Sequence, residues 1–231
     1  MRTNLVFLSL VLSACQGVVA SGTVTTTTRE VPAFRRISIA SGITATASAG
    51  SRALSIKADD NLQPLIETFV EDDTLIVRLK PMTLVGPVRT MDATISNDAF
   101  EALDASGGSH VTLPATPVTR FPISASGGSV VDVTGLSSAD FTVDASGGSR
   151  VKVSGAATSA SASASGGSDL EFTAVPLESL RVDASGGSTV KARVSGSLTG
   201  SASGGSTLTI VGMPSSQVDT SGGSHVRLGA Q

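Results

Sequence analysis

The tetrapeptide Ser-Gly-Gly-Ser occurs seven times, and no other feature of this chain restricts its fold as strongly. Its first glycine falls at Gly107, Gly127, Gly147, Gly166, Gly186, Gly204 and Gly222, giving spacings of 20, 20, 19, 20, 18 and 18 residues. A fixed period of this size marks a solenoid or array. A flexible Gly/Ser linker would share the composition but has no reason to keep its other residues in step. Here they do keep step. Four positions after the glycine stand Val111, Val131, Val151, Leu170, Val190, Leu208 and Val226. Two positions before it stand Ala105, Ala125, Ala145, Ala164, Ala184, Ala202 and Thr220, with polar residues between the apolar ones. Period-two alternation is the pattern of strands that bury one face.

Each repeat therefore predicts a strand, a tight Gly-Gly bend, a second strand and a looser return. Stacked coils of 18–20 residues would form an all-β solenoid of parallel, in-register sheets with equivalent residues about 4.8 Å apart. Composition fits a thin interior: 40% hydrophobic, 3% aromatic, no Trp and no Tyr. Ala and Val dominate that share, so a core built of small residues is expected.

The outward columns test the stacking. Five positions after the glycine, Asp132, Lys152, Glu171 and Lys191 alternate in sign, as a structural charge ladder should, because like charges directly opposite are unfavourable. Three positions before it, Asp104, Asp144, Asp183 and Asp219 alternate with Ser124, Ser163 and Ser201. Skipping coils separates those carboxylates to roughly 10 Å. Coil stacking explains both columns without a ligand.

Residues 1–14 read as a lipoprotein-type signal peptide: Arg2, the apolar run Leu5–Leu12, then small residues. The run is far short of the roughly 20 residues of a spanning helix. Leu12-Ser13-Ala14-Cys15 resembles the bacterial lipobox, with the chain's single Cys at the lipidation position. Val18-Val19-Ala20 offers an ordinary cleavage site as the alternative, which would remove Cys15. Residues 15–29 are expected as a tether and 30–231 as one solenoid domain, with irregular coils over 30–100 and regular ones over 101–231. Within the irregular part, Ile66–Val70 and Thr74–Leu79 flank Glu71-Asp72-Asp73 as a hairpin. Leu62, Leu65, Ile66 and Phe69 also match helical spacing, which keeps a short helix open.

The order Phe34–Gly42, then Ala58-Asp-Asp-Asn-Leu62, then Val70–Val77, followed by Ala-Ser-Gly-containing coils, resembles the head GIN domain of bacterial autotransporter-adhesin-like proteins. The resemblance runs over about residues 30–230. It implies a right-handed parallel β-helix on an exported, often lipid-anchored protein, and implies no catalytic activity. The chain departs from the usual pattern at Asp73, where a glycine often closes the acidic turn.

Several function classes are excluded or demoted. One Cys forbids an internal disulfide framework and any multi-Cys metal site. A net charge of -3, with 16 Lys+Arg, gives no footprint for nucleic acid. His110 and His225 share a column but lie six coils apart, about 29 Å, so they cannot form one site. The Asp separation lies beyond the 6.5–9.5 Å of inverting glycosidase pairs, and sugar-stacking Trp and Tyr are missing. Ser106 to Ser221 and Ser109 to Ser224 form two hydroxyl columns beside the bend, so ordered water or ice is a further candidate ligand. Against it, small residues fit there and their hydroxyls can bond along the stack.

No catalytic residue, metal or cofactor is expected. The chain reads as a non-catalytic adhesin or scaffold of the bacterial cell envelope, probing periplasm or surface from the outer membrane. Polysaccharide binding or processing is the alternative. Expected partners are the membrane through the lipid anchor, an envelope protein or glycan, and a second copy stacked end to end on the uncovered last strand, His225–Leu228.

Overall fold

The computed structural model describes residues 17–86 and 90–229. Its repeating unit is the bend. In each Ser-Gly-Gly-Ser copy both glycines hold positive φ, for example Gly127 at 63° and Gly128 at 80°. Positive φ at both central positions defines the tight two-residue turn that only Gly, Asn and Asp adopt cheaply. The two glycines are needed for different reasons. A Cβ on Gly127 would lie 3.2 Å from the Gly107 nitrogen of the preceding coil, whereas one on Gly128 would meet nothing within 4 Å. Close stacking selects the first glycine, and backbone conformation alone selects the second. Ser41 and Gly42 hold the same conformation, at 68° and 73°, and begin the column of bends.

Strands fill the rest of the chain. The irregular coils contain β1 (Val24–Thr28), β2 (Arg36–Ile39), β3 (Thr44–Ala49), β4 (Ala53–Asp59), β5 (Ile66–Glu71), β6 (Thr74–Leu79) and β7 (Met91–Asn97). The regular ones contain β8 (Ala102–Ala105), β9 (His110–Pro114), β10 (Val118–Ala125), β11 (Val130–Ala145), β12 (Arg150–Ala164), β13 (Asp169–Ala184), β14 (Thr189–Ala202), β15 (Thr207–Val211), β16 (Ser215–Thr220) and β17 (His225–Gly229). The fold is an all-β solenoid. Helical spacing at Leu62–Phe69 yields only a 3-10 turn, Gln63–Leu65, before β5 and β6 pair as the expected antiparallel hairpin.

Two parallel layers face each other across the core. After the bend the order is β1-β4-β7-β3-β9-β11-β12-β13-β14-β15-β17. Before it the order is β5-β6-β2-β8-β10-β11-β12-β13-β14-β16. Three pairings at the N-terminal end, β1–β4, β4–β7 and β5–β6, are antiparallel.

The expected looser return is absent in the middle coils. β11 to β13 run 15–16 residues from one bend to the next, so the third side is strand as well. Differences in coil length are absorbed there as bulges. Between β13 and β14 the register shifts at Phe172/Pro176 and again at Leu177/Ser179. The first shift puts three extra residues in β13 and the second one extra in β14, a net two that matches the step from 20 to 18. Bulges release the length mismatch locally, so the two faces beside the bend stay in register.

The core is wider than the composition suggested. Ala and Ser fill its narrow edge at the bend, but Phe34, Phe100, Phe121, Phe141 and Phe172 are fully buried farther from it. Phe121 lies in register with Phe141, and Phe141 meets Phe172 edge-on at 5.2 Å and 85°. Five of the seven phenylalanines are thus structural. Phe121 and Phe141 share a column of one layer, and Phe172 meets it from the layer opposite.

Residues 17–29, expected as a tether, join the fold where they are described. Val24–Thr28 pairs antiparallel with β4, and Val18 bridges Val85. A run of β-branched Val and Thr suits an edge strand, with one face on the sheet and one in water. No helix among the described residues is long and apolar enough to cross a membrane.

Candidate functional site

The Asp/Ser column is a continuous ordered array on the outer surface. Register runs from Ser38 to Asp104, Ser124, Asp144, Ser163, Asp183, Ser201 and Asp219 without a break. Ser38 therefore extends the alternation one coil beyond the repeats. Ser201 Oγ donates to Asp183 at 2.8 Å, showing how the intervening hydroxyl links neighbouring coils.

Three concavities lie along this column. One of about 400 Å³ is lined by Arg36, Ser38, Glu71, Asp72, Asp104 and Ser124, among others. Next comes one of about 230 Å³ between Ser124, Asp144 and Ser163. A third, about 790 Å³, is lined by Arg181, Asp183, Ser201, Gln217 and Asp219. Asp104 is exposed at the surface, yet partial desolvation in the first of these hollows raises its carboxyl above the ordinary value of 3.8, because the charged form loses solvent. A fourth hollow, about 680 Å³, lies on the third side and has only uncharged lining such as Val118, Ser138, Ala157 and Thr158.

The other face carries the ladder column. Asp132, Lys152, Glu171 and Lys191 stand opposite one another in register. Coil-to-coil ion pairs in other columns include Arg150–Asp169 at 3.6 Å and Arg120–Asp140 at 2.9 Å. Both join in-register neighbours, and the same column alignment that found the ladder would have found them. Exposed pairs of this kind contribute about 0–1 kcal/mol each.

The two hydroxyl columns separate in character. Ser109, Ser129, Ser149, Ser168, Ser188 and Ser206 are buried, so they present no surface array. Each hydroxyl donates to the carbonyl of the serine that opens its own bend, at 2.7–2.8 Å, rather than along the stack. A buried hydroxyl needs a partner, and the bend carbonyl is the nearest acceptor. The column's contribution is to lock the turn.

His110 and His225 are exposed and occupy one column, with Val130, Arg150, Asp169, Thr189 and Thr207 between them. Among the described residues no group of three or more His, Cys, Asp or Glu is placed to hold a metal ion. The bend glycines Gly107, Gly127, Gly147, Gly166, Gly186, Gly204 and Gly222 are all described, whereas Cys15 lies outside the described residues.

Comparison with solved structures finds the same architecture. A crystal structure of a putative adhesin from Bacteroides fragilis NCTC 9343 matches with a TM-score of 0.78 at 21% identity, covering 93% of this chain and all of that one. A putative adhesin from Parabacteroides distasonis ATCC 8503 matches at 0.68 and 16% identity, covering 93% and 100%. A putative lipid binding protein from the same strain matches at 0.71 and 13%, again covering 93% and 100%. At these identities the likeness concerns the fold. No curated protein sequence matches the chain. The family model described as putative auto-transporter adhesin, head GIN domain, matches residues 33–214, most of the chain, and the chain belongs to that family.

Proposed function

We propose that this chain is a non-catalytic interaction module of the cell envelope, exported and lipid-anchored at Cys15, that contacts its ligand through the Asp/Ser face. The observation that carries the reading is the unbroken outer column from Ser38 to Asp219, with three hollows along it. Alternate carboxylates and hydroxyls give acceptors and donors at a repeat of about 10 Å, suited to a long polar partner rather than a small molecule. The signal-like start, the lipobox-like motif and the adhesin-type family support the cellular setting.

The test is binding of the mature protein to arrayed glycans and to envelope extracts, beside a variant with Asp104, Asp144, Asp183 and Asp219 all changed to Asn. Binding that the variant loses supports the reading. Equal binding by both forms would overturn it. A second reading, polysaccharide cleavage, draws on Asp104, whose carboxyl is raised by partial desolvation beside Glu71 and Asp72 in one hollow. Release of reducing sugar from a bound polymer would favour that reading over the first.

A further inference from the structure

The N-terminal end of the stack carries an apolar cluster that the fold does not use. Val18 donates to the Leu84 carbonyl at 2.7 Å and accepts from Gly86 at 2.9 Å, so two short segments run side by side. Val18 and Val85 pack on the core. Alternation then turns Val19 and Leu84 to the opposite side, and they are 77% and 56% exposed. Met82, in the turn just before, is wholly exposed. It holds φ of 62°, a conformation for which Gly or Asn would serve better. Met82 thus holds an apolar side chain in water and gains no burial from the fold. The exposed Lys80 opens this turn, accepting from Thr83.

Position along the chain identifies what covers the cluster. Only Gln16 separates Cys15 from Gly17, the first described residue, whose backbone packs beside Leu84 and Gly86. In sequence, one residue separates the lipidation position Cys15 from the folded body. We infer that Val19, Met82 and Leu84 form a membrane seat, which inserts into the acyl-headgroup boundary and plants the N-terminal end of the solenoid on the bilayer. The inference rests on lipidation of Cys15. Acyl chains supply the anchor, and the apolar cluster sets which end faces the lipid.

The chain has no Trp, so one introduced at an exposed position is a sole reporter. Met82→Trp, Leu84→Trp and Met213→Trp would be made in the full chain, expressed in an exporting bacterial host and reconstituted into vesicles with brominated acyl chains. Met213 is exposed and about 34 Å farther along the stack. Insertion to about 5–10 Å predicts blue-shifted emission that loses most of its intensity for Met82→Trp and Leu84→Trp, with no loss for Met213→Trp. The mass of the N-terminal peptide reports lipidation separately. An unmodified or missing Cys15 overturns the anchor and the seat together. A lipidated protein with no quenching at either N-terminal site, or with equal quenching at Met213→Trp, overturns the seat alone.

Discussion

Glycines in this chain divide by what a Cβ would meet, and the division sets their tolerance. At Gly200 an added Cβ would lie 1.9 Å from the Val182 carbonyl oxygen, and backbone must move to admit it. At Gly205 it would meet nothing within 4 Å, leaving only the strain of φ at 80°. Gly205→Ala is expected to cost about 1–2 kcal/mol, the αL penalty. Gly200→Ala should cost clearly more, since clash adds to strain, and urea unfolding of the two variants checks the order. Asp104 makes a second prediction at this scale. Partial desolvation raises its native carboxyl above 3.8, so the native state holds the proton more tightly than the unfolded chain. Its ionisation therefore lowers stability as pH rises through the window from 3.8 to the raised native value. Asp104→Asn should raise the melting temperature at pH 7 and lose that advantage below pH 3.8, read by calorimetry at both.

The hairpin of β5 and β6 shows what an element-level motif reveals and hides. Both strands were legible from their β-rich runs around an acidic turn, and the structure pairs Glu71 with Thr74 across it. Asp72 and Asp73 hold φ of 46° and 63°, a bend made without glycine. Asp73→Gly should stabilise by about 0.5–1 kcal/mol, because αL costs a side chain that glycine lacks, while the carbonyl that accepts from Arg35 and Arg36 is retained. A rise in the urea midpoint without a change in slope would be the signature.

Regular coils were equally legible, since bend and alternation repeat in phase. The third side was not: its bulges shift the phase by one to three residues, and alternation read from the glycine loses register there. Pairing of β1 with β4 was hidden for another reason. A polar Thr-rich strand resembles a linker until a partner edge is known. The Asp/Ser face could be written down from the repeats, but the hollows along it depend on Arg36, Glu71 and Asp72, which come from irregular coils.

At the scale of the molecule, stability is close to a sum of coils and the contacts between neighbours. Deleting residues 128–147 joins Gly127 to Gly148 and restores an intact Ser-Gly-Gly-Ser bend. That 20-residue deletion should leave a cooperatively folded solenoid with β-rich circular dichroism. Deleting residues 128–137 should not, because ten residues cannot return the chain to the bend. A molten or aggregated product from the first deletion would contradict the nearest-neighbour account.

The bulges that hold coil-length differences on one side have a consequence beyond packing. Any gain or loss of two successive coils by recombination between near-identical repeats changes the molecule's reach by about 10 Å and keeps the Asp/Ser alternation in phase. Such a lineage can vary the distance between its two ends stepwise, like sections of a telescoping rod, without rebuilding the surface that meets a partner.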